Sequence, residues 1–159
     1  MIRPANISDT EALFQLLNQC AQALAEQGMR HWLGVYSLEA ILNNLNIKKV
    51  LVLEQDHTIV GCIALSNVAA DYYQRCWPQA DKADIYISQF AIAPDKQKQG
   101  LGKQLINYCL RDLPAHHTVQ LDAIAHYPAL LDFYHRLGFR IIATGIGLGD
   151  KRHLFTLTV

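Results

Sequence analysis

The sequence predicts a single α/β (α+β) domain over residues 1–159, with about seven strands and four helices. Short apolar runs of strand length alternate with longer stretches whose apolar residues recur at helical spacing. Polar turns and glycines punctuate the two kinds of segment. One apolar run ends at Pro94 and passes through a polar, basic loop into an amphipathic helix opened by Gly100-Leu101-Gly102. The chemistry is expected to concentrate there.

In chain order, Ile2-Arg3-Pro4-Ala5 reads as a short edge strand, since proline lacks the N–H that a central ladder needs. Ser8 and Glu11 read as a capping box for the first helix, whose apolar face runs Leu13, Leu16, Leu17, Cys20 and Leu24 before Gly28 stops it. Residues 29–36 form a loop carrying His31, Trp32 and Tyr36, and Ser37 caps a second helix reaching Leu45. Lys49–Glu54 and Thr58–Leu65 make a hairpin around Gln55-Asp56-His57. Residues 67–83 form a long connection, in which Tyr72, Tyr73 and Trp77 argue against disorder.

Ile85 and Ile87 share one strand face, whereas Phe90 and Ile92 have the opposite parity. A β-bulge near Ser88-Gln89 accounts for the change of phase; a strand apolar on both faces is the alternative. Leu101, Leu105, Ile106, Cys109, Leu110 and Leu113 then recur along one helix face. Thr118–Ala125 alternates as a strand. Pro128 and Gly138 bracket a helix over Tyr127–Leu137, with Tyr127, Leu130, Leu131, Tyr134 and Leu137 in one stripe. A strand starts at Phe139 and a last one spans His153–Val159, with Gly145, Gly147 and Gly149 expected as turn residues between them.

The chain is long enough to bury a core of its own. Its 51% apolar content and its balance of 14 basic and 14 acidic residues give no basic stripe for a nucleic acid. No apolar run approaches the length of a membrane span, and Met1-Ile2-Arg3-Pro4 does not read as a signal peptide. Cys20, Cys62, Cys76 and Cys109 show neither C-x-x-C spacing nor a histidine pattern for zinc. Cys20, Cys62 and Cys109 lie on apolar patterns and read as buried free thiols, which implies a reducing, cytoplasmic setting.

A strand that hands over to a helix through a glycine-containing loop aims backbone N–H groups and the positive helix end at one place, an anion site suited to phosphate. Lys103-Gln104 follows Gly102 where a P-loop needs Lys-Ser/Thr, and the dinucleotide pattern needs a third glycine. Instead, Gln97-Lys98-Gln99-Gly100-Leu101-Gly102, after the strand Phe90-Ala91-Ile92-Ala93-Pro94, resembles the Gln/Arg-x-x-Gly-x-Gly/Ala signature of the GCN5-related N-acetyltransferase (GNAT) family. About 30 residues on, Tyr134-His135-Arg136-Leu137-Gly138-Phe139 lies in a segment similar to the same family's Phe/Leu-Tyr-x-x-x-Gly-Phe motif. The Ile-Arg-Pro-Ala opening followed by a capped helix also resembles the family's N-terminus.

The resemblance implies a central mixed, mostly antiparallel sheet with a splayed strand pair in the middle, and acetyl-CoA as acetyl donor. It implies that Gln97, Lys98, Gln99, Gly100, Leu101, Gly102 and Lys103 bind the pyrophosphate. Backbone groups of Phe90, Ala91 and Ile92 would meet the pantetheine arm, the Ile92 amide acting as oxyanion donor. Tyr134 takes the position that protonates the departing CoA thiolate, and Tyr127 stands where many relatives carry a cofactor-binding Asn. The implied reaction is direct attack of a primary amine in a ternary complex, with no covalent acyl-enzyme and no metal.

An amine attacks only when neutral, so a proton must leave it. His126 is the candidate base because histidine as a residue type is suited to taking a proton near neutral pH; Asp84, Tyr86, Asp122 or a water chain are rivals. Trp32, Tyr36, Tyr72, Tyr73 and Trp77 are candidate walls for an acceptor with an apolar body, or else packing over the core. The aromatic walls favour a small-molecule amine. A non-catalytic acyl-CoA sensor and a protein or peptide acetyltransferase are the alternatives, and a homodimer is left open.

Overall fold

Residues 1–159 are all described by the computed structural model. Strand β1 (Ile2–Pro4) lies at a sheet edge, antiparallel to β2 (Lys49–Gln55), with Ile2 opposite Leu53 and Pro4 opposite Leu51. The expected capping box at Ser8 and Glu11 is displaced. Asn6 caps a 3-10 turn over Ile7–Asp9, accepting the Ser8 N–H at 3.0 Å, while the Asp9 carboxylate accepts the Asn6 N–H at 2.9 Å. Arg3 holds Asp9 at 2.8 Å, which fixes the earlier start, and α1 runs Thr10–Glu26 from there. Helix α2 (Leu38–Ile47) is capped as the sequence predicts, its Ser37 hydroxyl accepting the Ala40 N–H at 3.1 Å. β2 and β3 (Thr58–Ser66) form the expected hairpin, turning through Asp56 at φ +50° and His57 at φ +62°. Two successive left-handed residues are the turn that matches strand twist.

Backbone pairing runs β1-β2-β3-β4-β5-β7-β6, with β4 (Ile85–Ile92), β5 (Thr118–Ile124), β6 (Arg140–Gly147) and β7 (Asp150–Thr158). Only the β4–β5 pair is parallel, registering Ile85 with Val119 and Tyr86 with Gln120; the other registered pairs are antiparallel. The sheet is therefore mixed and mostly antiparallel, as expected. Five helices stand where four were expected, because the long connection contains a short α3 (Tyr73–Cys76).

The chain divides into two compact units: residues 1–65 with 88–112, and residues 66–87 with 113–159. The first holds α1, α2, β1–β3, the end of β4 and α4 (Leu101–Leu110) around Leu13, Leu17, Ile41, Ile63, Leu105 and Ile106. The second holds α3, the start of β4, β5, α5 (Pro128–Arg136), β6 and β7 around Leu121, Ile124, Phe139 and Phe155. Its second cluster packs Tyr73, Trp77, Tyr86 and Leu154.

Three glycines read as turn residues divide differently. Only Gly149, at φ +85°, lies in the tight β6–β7 turn; Gly145 and Gly147 belong to β6. A Cβ on Gly145 would stand 2.5 Å from the Cys76 carbonyl oxygen, and one on Gly147 would stand 2.7 Å from Cys76 Sγ. These glycines let α3 lie against β6.

Candidate functional site

In the first unit, Gln89 of β4 has the left-handed φ of +51°, a backbone irregularity at the place where a bulge was expected. The buried face does not change parity, however: Gln89, Ala91 and Ala93 are buried as Ile87 is, while Ser88, Phe90 and Ile92 are partly exposed. Three side chains reach this point from neighbouring elements. Asn44 Nδ2 donates to Gln89 Oε1 at 2.7 Å, Lys48 Nζ donates to Ser88 Oγ at 3.0 Å, and Cys62 Sγ donates to the Gln89 carbonyl oxygen at 3.3 Å. Gly61 leaves room beside the strand, since a Cβ there would stand 2.7 Å from Ile92 Cδ1.

β4 leads through a 3-10 turn (Pro94–Lys96) into the loop 97–100 and then α4. Lys98 at φ +64° and Gly100 at φ +81° reverse the chain, and a Cβ on Gly100 would meet nothing within 4 Å. The glycine thus supplies the left-handed conformation and open space at the helix mouth. The first α4 bond runs from Gln104 N–H to Gly100 C=O at 3.0 Å, so the amides of Leu101, Gly102 and Lys103 have no acceptor inside the helix. Lys98, Gln99 and Lys103 are exposed around them. Gln97 Nε2 donates to the Ile92 carbonyl oxygen at 3.1 Å, tying the loop back to β4. Free amides, a positive helix end and two ammonium groups fit a polyphosphate. The same unit carries Trp32 and Tyr36, half-buried and edge-to-face at 5.1 Å, with the Tyr36 carbonyl held by Asn18 Nδ2 at 3.0 Å.

In the second unit, Tyr134 sits on α5, which Pro128 opens and Gly138 at φ +98° closes. It is 6% exposed, packed against Phe133, Phe139 and Phe155 at 5.4–5.9 Å. Burial pushes its hydroxyl pKa well above the ordinary tyrosine value, and the Asp122 charge adds to the shift. It therefore carries its proton at neutral pH. Tyr127 precedes the helix, half-buried, its carbonyl accepting the Leu130 N–H at 3.1 Å; His126 beside it is exposed.

The rival bases are differently placed. Asp122 accepts from Tyr72 Oη at 2.9 Å, Tyr73 Oη at 2.6 Å and Arg152 Nη1 at 3.2 Å, while Arg152 Nε donates to the Gly147 carbonyl at 2.8 Å. With so many donors already on it, this carboxylate is a structural hub. The Tyr86 hydroxyl accepts the Ala83 N–H at 2.9 Å, and Asp84 accepts the Thr118 N–H at 2.8 Å, at the opposite end of β5 from His126. Tyr73 and Trp77 are 6% and 5% exposed within the packed cluster, so their burial matches the packing alternative; Tyr72 is half-buried. Sequence reasoning missed the Asp122–Arg152 pair. Its signal was Arg152 sharing parity with Leu154 and Thr156 on β7, a charge on a buried face.

Residues 46–141, more than half of the chain, match the family model described as an acetyltransferase (GNAT) domain. The Bacillus subtilis (strain 168) N-acetyltransferase YesJ is 24% identical over 93% of this chain and 87% of its own length. The S-(2-succino)cysteine N-acetyltransferase of the same organism is 26% identical over 82% of this chain and 78% of its own. Among solved structures, a GNAT-family acetyltransferase from Streptococcus agalactiae 2603 superposes with a TM-score of 0.86 at 14% identity, covering 100% of this chain and 95% of that one. The PaiA N-acetyltransferase of Thermoplasma acidophilum, solved with coenzyme A, gives a TM-score of 0.75 at 19% identity, covering 100% and 98%.

Proposed function

The chain belongs to the GNAT family of acetyl-CoA-dependent N-acetyltransferases, and from that premise we propose that it acetylates the primary amine of a small molecule. The observation that carries the proposal is the irregular β4 leading into an open, unsatisfied α4 N-terminus flanked by Lys98 and Lys103. The whole chain, residues 1–159, acts as one such domain. In this reading Gln97, Lys98, Gln99, Gly100, Leu101, Gly102 and Lys103 hold the pyrophosphate of acetyl-CoA. Backbone groups of Phe90, Ala91 and Ile92 receive the pantetheine arm, and the Ile92 N–H stabilises the charge that develops on the thioester oxygen. Tyr127 supplies a ring or hydroxyl contact to the cosubstrate.

The acceptor ammonium first gives a proton to His126 or to water. The free amine then attacks the thioester carbon, so a C–N bond forms and the C–S bond breaks. Tyr134 gives its proton to the departing thiolate and regains one from the new amide's nitrogen or from solvent. A tyrosine held protonated by burial suits that task. Trp32, Tyr36 and Tyr72 remain candidates for the acceptor's apolar body, whereas Tyr73 and Trp77 contribute by packing. The small-molecule class is supported by the relative named for acetylating a modified cysteine. No helix is long and apolar enough to cross a membrane, and the four cysteines are free, which supports a reducing cytoplasmic setting.

The test is thiol release from acetyl-CoA against a panel of amino acids, polyamines, other small amines and peptides. Turnover with small amines and none with peptides is expected. Turnover restricted to peptides would move the acceptor class, and CoA binding without turnover on any amine would indicate a sensor.

A further inference from the structure

Within the first unit, Asn44 lies in the last turn of α2 and Lys48 is the residue just past its end, its N–H donating to the Asn44 carbonyl at 2.9 Å. The residues they bond, Gln89 at 2.7 Å and Ser88 at 3.0 Å, are consecutive in β4. A left-handed backbone at a glutamine is uncommon, and such conformations persist where the surroundings over-determine them. Here the surroundings are the Asn44 and Lys48 side chains at the C-terminal end of α2 and the Cys62 thiol on the Gln89 carbonyl. Gln89 is 3% exposed and its Nε2 has no partner. Turning the amide over would leave Oε1 orphaned instead, so one pole is unsatisfied in either orientation. A residue serving packing alone would be apolar at such a site, and an unsatisfied buried donor costs about 1–3 kcal/mol. The amide therefore has a purpose in its bond to Asn44.

We propose that Asn44 and Lys48 are positioning residues that clamp the irregular place in β4 through Gln89 and Ser88, fixing the backbone of Phe90–Ile92 for acetyl transfer. This rests on the reading of β4 as the strand that receives the thioester. If φ at Gln89 relaxed to the ordinary extended region, the side chains and amides after it would turn to other directions, and the oxyanion donor would lose its aim. α2 thereby governs the chemistry without touching a reactant.

The test compares the wild-type chain with Asn44→Ala, Asn44→Asp and Asn43→Ala, the last on the exposed side of α2. Three readouts are taken: kcat at saturating acetyl-CoA, calorimetric Kd for CoA, and amide hydrogen exchange across residues 85–93. Asn44→Ala is expected to lower kcat about tenfold or more, as a misaimed donor should. It should leave the CoA Kd little changed, because the phosphate loop is untouched, and should speed exchange around Gln89. Asn44→Asp accepts from Gln89 Nε2 and should recover most of the loss. Wild-type kcat and exchange in Asn44→Ala overturn the clamp, as does an equal loss in Asn44→Asp or in Asn43→Ala. Should the wild-type chain release no thiol with any amine, the acetyl-transfer reading fails by itself, and the exchange arm still decides the clamp.

Discussion

Tyr134 shows how burial prepares a side chain for one protonation state. Its hydroxyl is held neutral by desolvation first and by Asp122 second, so it can donate to a thiolate throughout the physiological range. Tyr134→Phe is expected to lower kcat by about 10²–10⁴-fold, the usual worth of a placed acid, with acetyl-CoA affinity nearly unchanged. Wild-type turnover in that variant would remove Tyr134 from the mechanism. Tyr134 and Tyr73 both bind their proton more tightly folded than unfolded. The stability they contribute is whole below the unfolded value of about 10 and is lost as pH climbs above it. Alkaline unfolding should therefore begin near pH 10 and be shallower in Tyr134→Phe; a scan with equal slopes would refute the linkage.

Asp122→Ala leaves Arg152 buried without its partner, both side chains being under a tenth exposed. Loss of one member of such a pair costs about 3–5 kcal/mol, which chemical denaturation would measure. The strand, loop and helix start over residues 90–104 were legible in the sequence because their signals are local: an apolar run, a left-handed glycine and a helix start in one short stretch. The Asp122–Arg152 hub was not, because those residues meet only through the β5–β7 register that sets Asp122 opposite Leu154 and Ile124 opposite Arg152. The parity of Arg152 in β7 marks a charge on a buried face, but its partner 30 residues away leaves no local trace.

Among the elements, the helices and the β2–β3 hairpin announced themselves through periodicity and turn chemistry. α3 did not, since a single turn is too short for a period and its support is tertiary. It is pinned by the Tyr72 and Tyr73 hydroxyls on Asp122 and by Cys76 Sγ donating to the Ile146 carbonyl at 3.1 Å. The same contact explains why Gly145 and Gly147 were misread as turn residues: they are absent side chains under α3, a need the sequence cannot distinguish from a bend. Gly145→Ala should destabilise the fold by about 1–3 kcal/mol through overpacking against the Cys76 carbonyl. Unaltered thermal stability in Gly145→Ala would mean that α3 can lift from β6 at no cost. The parity of the apolar residues pointed to the irregular place in β4, where Gln89 is left-handed, but misjudged the buried face, which carries Ala91 and Ala93 while the larger Phe90 and Ile92 are partly exposed.

For the whole molecule, the family match over residues 46–141 and the mixed seven-stranded sheet make binding of acetyl-CoA the property on which the rest depends. A ligand that binds only the folded chain adds about 2.7 kcal/mol at a hundredfold excess over Kd. For a chain of this length that corresponds to a rise in Tm of roughly 5–10 °C. A flat melting curve across that titration would contradict it. The most direct measurement is a calorimetric titration of CoA into the wild-type chain and into folded Gly100→Glu, which places a carboxylate and a strained backbone at the α4 N-terminus. One site is expected in the wild type and a loss of affinity of tenfold or more in the variant, an added charge at a helix end opposing the phosphates on top of the backbone strain. Equal affinity in the two proteins would contradict the assignment of residues 97–103 as the phosphate loop, and with it the reading of the site.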